Sequence, residues 1–477
     1  MARRRARRPV AVLSVVAAIP AIGLGAFGWY AHTQAASGVS VPVAAPVSTD
    51  PLPGVMTTPL LSVRRAPTLL AAAGEATVLK SAAQPLLGSI DSGSCTVLAV
   101  DDVTVATVNP DLAVIPASTL KVVVAAVALD VLGAGTTFTT QVVGPAPSGG
   151  VVNGDVYLVA GGDPVLSEGW YTQITDTHKR PPMHATSIEA LADALAAAGV
   201  SRITGRVLGD SSRYDAEVYP PGWSDDLKHV ADGVPVGALV INDSIRQDGV
   251  IQADPTAAAA NTFVNVLAAK GITVDGGSGA GTAPAGSGVL GAVQSAPLTD
   301  IVNEMLATSD NLTAEMLVKE IAHASTGGQG TRTAGLQVIT AKLTEWGLST
   351  AGLQLTDGSG LSRDNRLTCT LLAQLLERTA ATDPLGAGLA RADQDGSTLA
   401  GYFEEPGLSG VLQGKTGSLS GVKSLAGYFV AGGSEVQFVV ILNGSSVDNF
   451  PTIWDQLGVA LLAAAAGPTA DALAPRS

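Results

Sequence analysis

Histidine, cysteine and basic side chains are all scarce in this chain of 477 residues. Two cysteines, Cys95 and Cys369, are too few for a disulfide scaffold and cannot make a thiolate-based zinc site on their own. The five histidines, His32, His178, His184, His229 and His323, show no metal-ligand spacing and read as structural or surface residues. Basic residues number 27 against 41 acidic ones, a net charge of −14, and five of the 27 are Arg3, Arg4, Arg5, Arg7 and Arg8. The rest of the chain therefore lacks the basic stripes that neutralise phosphates, which excludes a general nucleic-acid binder. Charged residues make up only 14% of the chain and apolar ones 46%. That much Ala, Val, Leu and Ile buries enough surface to offset chain entropy, so disorder of the whole is excluded, and the length suggests roughly three domain-sized units.

Charge is missing altogether from Pro9 to Tyr30, directly after the arginine cluster. A basic start followed by an apolar run is an export signature. The stretch Val10–Tyr30 falls within the ~17–25 residues that span a bilayer as a helix, with Trp29 and Tyr30 at the outer interface. Small residues such as Ala35 and Ala36 offer a cleavage site, so residues 1–36 read as a membrane anchor or a cleaved signal. Either way the remainder works outside the cytoplasm, where Cys95 and Cys369 could pair if the fold brings them together. Residues 37–75 read as a Pro/Ala-rich tether, with ordered structure resuming near Thr68, and residues 466–477 as a frayed tail.

Three short motifs carry chemistry. Pro116-Ala117-Ser118-Thr119-Leu120-Lys121 precedes a run from Val122 to Leu132 that is apolar on nearly all faces, which predicts a buried helix starting after Pro116 and stopping at Gly133. Ser118 and Lys121 then share one face. A serine hydroxyl is a weak nucleophile that needs a base, and a lysine amine buried near Lys415 is disfavoured as a cation by desolvation and by like charge. A second Ser-x-x-Lys, Ser420 to Lys423, falls in a strand-like region, where residues three apart point to opposite faces. The next motif, Ser309-Asp310-Asn311, sits between two amphipathic segments, and its bland reading is a helix cap. The last, Lys415-Thr416-Gly417, lies inside 411–420, followed by apolar runs at 425–430 and 436–442 that predict adjacent antiparallel strands. Of the remaining candidates, Asp163-Pro164 reads as a turn and the Gly-rich stretch 276–288 as a loop.

In this order the three motifs form the signature set of the penicillin-recognising serine acyl enzymes. Flanking residues sharpen the likeness: Tyr157-Leu158-Val159-Ala160-Gly161-Gly162-Asp163-Pro164, Gly222-Trp223-Ser224-Asp225-Asp226 and Asp357-Gly358-Ser359-Gly360-Leu361-Ser362-Arg363. The chain resembles the D-alanyl-D-alanine carboxypeptidase/endopeptidase family of low-molecular-mass class C penicillin-binding proteins over roughly residues 76 to 465. The resemblance implies an α+β fold with a β-lactamase/transpeptidase-like catalytic domain, an antiparallel sheet flanked by helices. The 191 residues from Ser118 to Ser309 exceed what a compact helical lobe needs, so that domain is expected to be discontinuous. Its two parts would be 76–145 and 291–465, with one or two inserted α/β domains at 146–290.

The resemblance also implies a mechanism. Lys121 takes the proton of Ser118, which attacks the penultimate D-alanine of a peptidoglycan stem peptide. The N–H groups of Ser118 and Ser418 hold the oxyanion, Ser309 relays the proton to the leaving amine, and Asn311 bonds the substrate amide. Lys415 and Thr416 hold the terminal carboxylate, and Gly417 lets substrate lie against the strand. No metal or organic cofactor is implied, β-lactam antibiotics are expected as covalent inhibitors, and the membrane is met only through the N-terminal segment. For a diaminopimelate side chain, Arg363 would hold the carboxylate, Asp226 the amine, and Trp223 the methylenes. Two other functions stay open: a serine β-lactamase or esterase on this scaffold, marked by fast penicillin turnover, and a non-catalytic cell-wall-binding protein, marked by failure to label.

Overall fold

Around the apolar runs at 425–430 and 436–442 the chain forms three antiparallel strands, Leu412–Leu419, Val422–Ala431 and Ser434–Leu442. The computed structural model describes residues 67–174, 181–228, 230–431, 433–468 and 470–473. The export segment, the tether up to residue 66, the end of the tail, His32, His178 and His229 lie outside the described residues. The three strands are the centre of a six-stranded antiparallel sheet. Ala390–Arg391 lies at one edge, and Cys95–Val100 and Val103–Val108 complete the other.

The sheet feeds two cores, because side chains alternate across it. Val436, Phe438, Val440 and Leu442 pack on one face with Leu79 of helix Pro67–Ala82 and with Ile453, Leu457 and Leu461 of helix Phe450–Ala465. Val439 and Ile441 face the other way, onto helices Leu120–Leu132, Leu298–Thr308, Asn311–Thr326 and Cys369–Glu377. Leu120 to Ala128 are all buried in that layer, which accounts for a helix apolar on every face. Cys95 and Cys369 are disulfide-bonded, tying the sheet to helix Cys369–Glu377. Among the described residues no helix is long and apolar enough to cross a membrane.

A second, five-stranded mixed sheet runs in the order Ser278–Ala280, Val207–Asp210, Val156–Val159, Thr139–Gly144, Gly288–Gln294. Helices Ile188–Ala197 and Pro255–Ala269 pack on it, capped by the side chains of Ser187 and Asp254. Three of the strand pairs are antiparallel or parallel as the crossovers dictate: Val156–Val159 runs parallel to Val207–Asp210, whereas Thr139–Gly144 runs antiparallel to both its neighbours. Thr139–Gly144 lies wholly before the expected boundary at 146 and Gly288–Gln294 crosses the one at 290, so we place the insertion at 139–294. Local pattern could not show this, since Thr139–Gly144 pairs with the distant strand Gly288–Gln294. Two further corrections concern local assignments. Residues 67–75, read as tether, begin helix Pro67–Ala82, where Pro67 opens an alanine-rich run. The stretch 276–288 contains the edge strand Ser278–Ala280, held by backbone pairing that needs no side chains.

Helix Asn311–Thr326 joins the two parts. Leu312 and Met316 enter the core of the insertion, while Ala314, Leu317, Val318 and Ile321 enter the helical core of the catalytic part. Ion pairs Arg213–Glu320, Lys319–Asp215 and Arg332–Glu217 reinforce the junction.

Candidate active site

The turn that carries Ser118 is stapled from several sides. Asn443, at the end of strand Ser434–Leu442, exchanges two hydrogen bonds with the backbone of Ile115, accepting at 2.6 Å and donating at 3.0 Å. The Pro116 carbonyl accepts from the hydroxyls of Thr119 and Ser424, each at 2.7 Å. Ala117 sits at φ +48°, a region that non-glycine residues enter only when their surroundings over-determine it. Ser118 is the middle residue of the turn Ala117–Thr119 that leads into helix Leu120–Leu132.

Lys121, one turn on, is wholly buried. Its Nζ lies 2.9 Å from Ser118 Oγ, 2.7 Å from Asn311 Oδ1 and 2.6 Å from the Ser359 carbonyl. Desolvation brings this amine down from 10.5 to about 8. The expected like-charge contribution from Lys415 is corrected by the surroundings: the charges that act most on Lys121 are the carboxylates of Asp310, Asp357, Glu315 and Asp232, and they oppose the shift. Asn311 is fixed in turn by donating from Nδ2 to the Asp232 carbonyl at 2.9 Å. Asp310 is the helix cap, accepting from the Thr313 N–H, so the capping role falls on the middle residue and leaves Ser309 and Asn311 to the cleft.

Lys415, Thr416, Gly417 and Ser418 lie on the strand Leu412–Leu419 beside this turn. Lys415 is buried and donates to the Thr416 carbonyl at 2.9 Å. Gly417 is held so close that a Cβ there would stand 2.2 Å from Ser424 Oγ and 2.9 Å from the Ser118 nitrogen, so only glycine fits. The cleft, about 380 Å³, is lined by Ser118, Ser309, Asn311, Thr416, Gly417 and Ser418 from the motifs. Tyr402, Phe450 and Trp454 form an aromatic wall that motif reading did not foresee. The second Ser-x-x-Lys does not assemble as a pair. Lys423 Nζ donates across the hairpin to Ser418 Oγ at 3.0 Å and lies 4.6 Å from the centre of the Phe450 ring.

The three residues expected around a substrate side chain do not line this cleft. Trp223 is buried, and its indole N–H donates to Asp357 at 2.9 Å. Asp226 is exposed and does not line the cleft. Arg363 is also exposed and off the cleft, with one guanidinium N–H spent on the Ser420 carbonyl at 2.6 Å. Sequence reading also missed the roles of Glu315 and Asp357. Both are buried, Asp357 at the start of the loop 357–363, a stretch singled out by its likeness alone, and Glu315 beneath it.

A serine paired with a desolvated lysine at the mouth of a cleft, between a helical layer and an antiparallel sheet, defines a centre suited to serine acyl transfer. The chain belongs to the D-Ala-D-Ala carboxypeptidase 3 (S13) family, whose model matches residues 75–252 and 246–464. It is similar to a D-alanyl-D-alanine carboxypeptidase of Actinomadura sp. strain R39, 29% identical over 430 residues, covering 73% of this chain and 76% of that protein. It is also similar to the carboxypeptidase DacB of Mycolicibacterium smegmatis, 30% identical over 472 residues and 96% of both chains. In fold it matches penicillin-binding protein 4 of Haemophilus influenzae with a TM-score of 0.66 at 22% identity, over 79% of this chain and 98% of that one.

Proposed function

We propose that this protein is a serine-type D-alanyl-D-alanine carboxypeptidase that hydrolyses the ends of peptidoglycan stem peptides through an acyl-enzyme on Ser118. The observation that carries the reading is the convergence of all three motifs on one cleft, with Lys121 Nζ between Ser118 Oγ and Asn311 Oδ1. Lys121, neutral, removes the hydroxyl proton as Ser118 attacks the carbonyl of the penultimate D-alanine. The N–H groups of Ser118 and Ser418 receive the developing oxyanion, an interaction worth a few kcal/mol (~3) for each well-placed donor. Ser309 passes the proton to the leaving D-alanine, Asn311 orients the donor amide, and Lys415 with Thr416 attracts the terminal carboxylate. Water then attacks the ester and frees Ser118. Arg363, beside the hairpin that ends the substrate strand, is the residue we propose for a carboxylate on the stem-peptide side chain. Penicillins, which present a strained amide to the same serine, acylate it and leave slowly.

An extracytoplasmic place of action agrees with the Cys95–Cys369 disulfide, which persists in oxidising compartments. The arginine-led apolar segment would deliver the protein there, as an anchor or as a cleaved signal. The test is mass spectrometry of the purified protein after exposure to penicillin and, separately, to a D-Ala-D-Ala peptide. The expected result is a covalent adduct on Ser118 and release of D-alanine, both lost in Ser118→Ala with the thermal transition unchanged. Adduct formation at the wild-type rate in Ser118→Ala would overturn the assignment.

A further inference from the structure

We propose that Glu315 is the positioning residue for the base of this reaction: its buried carboxylate fixes the loop whose Ser359 carbonyl holds Lys121 against Ser118. This rests on the reading of Lys121 as the base. Glu315 lies in the first turns of helix Asn311–Thr326, is 2% exposed, and does not line the cleft. Its Oε1 accepts the N–H of Gly358 at 3.0 Å and that of Ser359 at 2.7 Å, and its Oε2 also approaches the Gly358 nitrogen, at 3.1 Å. Asp357 grips the same loop further along, accepting from the N–H groups of Gly360 and Ser362 and from the side chains of Asn365 and Trp223. With these amides anchored, the Ser359 carbonyl is set on Lys121 Nζ at 2.6 Å.

That carbonyl matters because of what a neutral amine must do. It carries two hydrogens and one lone pair, and a carbonyl oxygen can only accept. Asn311 Oδ1 and the Ser359 oxygen therefore take the two N–H groups, and the lone pair is left facing Ser118 Oγ. If either acceptor turns away, the amine is free to rotate and present a hydrogen to the serine. Two carboxylates buried behind one loop are costly to maintain. Burial, together with the charge of Asp357, holds the Glu315 carboxyl up to about 7. Such a pair placed directly behind the base, on hydrogen bonds that lead to it, points to function more than to packing. The charged groups that act on Lys121 come from three elements: Asp310 and Glu315 at the start of one helix, Asp357 on the loop, and Asp232 from the insertion.

The experiment measures penicillin acylation against pH, and KM for a D-Ala-D-Ala peptide, in Glu315→Gln and Glu315→Asp. Glutamine offers one oxygen to two N–H groups and sets an NH2 beside them, so the alkaline plateau of acylation should fall by ~10–100-fold, the size expected for an ångström-scale misplacement. KM should stay unchanged. The midpoint should move to lower pH, because a negative charge that favours the ammonium form has gone. Aspartate keeps the charge on a shorter arm, so its plateau should fall while its midpoint stays. An acylation rate and midpoint at wild-type values in folded Glu315→Gln would overturn the proposal. Should that variant not fold, a wild-type plateau in Glu315→Asp would overturn it equally. Absence of any adduct in the wild-type protein would instead defeat the reading of the site itself.

Discussion

Desolvation and neighbouring charge act on Lys121 in opposite directions, and desolvation is the larger. Four carboxylates within its field would by themselves keep the amine protonated to high pH. Complete burial brings it to about 8, close enough to neutrality for a useful fraction to be free base. Acylation should therefore rise with pH through about 8 and level off above it, measured as the rate of fluorescent penicillin labelling at fixed ionic strength. A rate flat from pH 6 to pH 10 would point to a different base. The same shift has a sign for folding. In the unfolded chain this amine titrates near 10.5, so between about 8 and 10.5 the unfolded state binds more protons than the folded one. The contribution of Lys121 to stability then increases with pH across that window. Below it, both states hold the proton and the contribution is constant.

The element that controls the site is the loop 357–363, whose grip comes from outside its own sequence. Asp357 receives the Trp223 indole from the insertion, and Glu315 reaches the loop from helix Asn311–Thr326. Replacing Trp223 by Phe keeps a ring and removes the N–H that Asp357 accepts. The expected loss is ~1.5–3 kcal/mol of stability, the range for a hydrogen bond to a charged group, read from urea unfolding. Penicillin acylation and peptide turnover should fall together. If Trp223 lay on the substrate side chain, peptide turnover alone would fall.

This loop also marks how far the sequence could be read. The buried helix after Ser118 and the strands from 412 to 442 were legible, because their apolar runs are local and bounded by glycines. So was the meeting of Ser118, Lys121 and Asn311, with Ser309 and Thr416 on the same cleft, through motifs of fixed internal spacing. The partner of Trp223 stands 134 residues away and that of Ile115 stands 328 away, and no local period encodes either contact. An aromatic residue next to acidic ones looks alike whether it faces a substrate or an aspartate of its own chain. Asp357 and Glu315 look like any surface carboxylates until the fold closes over them.

At the scale of the molecule, the site depends on keeping two remote parts of the chain in register. The nucleophile turn and the strand Leu412–Leu419 are separated by the whole insertion, which is itself docked through Leu312, Met316 and the Arg213–Glu320 pair. The Cys95–Cys369 disulfide closes a loop that contains the nucleophile turn and the whole insertion, with a sequence separation of 274 residues. Cross-linking so long a loop removes much of the entropy of the unfolded chain, and disulfides of this kind contribute ~2–5 kcal/mol. Both cysteines are 0% exposed, packed between the sheet and helix Cys369–Glu377, so a thiol reagent reaches the bond only when the protein opens. Dithiothreitol at neutral pH should accordingly leave the native disulfide and penicillin labelling intact for as long as the fold holds. The double variant Cys95→Ser, Cys369→Ser should show a lower urea midpoint and an unfolding free energy smaller by about that amount, while its acylation rate at 25 °C stays near that of the parent. The reason is that neither sulfur lies among the residues lining the cleft, so the bond acts on the population of folded molecules and not on the chemistry of each one. A variant that unfolds at the parent's urea concentration would show that packing alone holds the sheet to its helical layer.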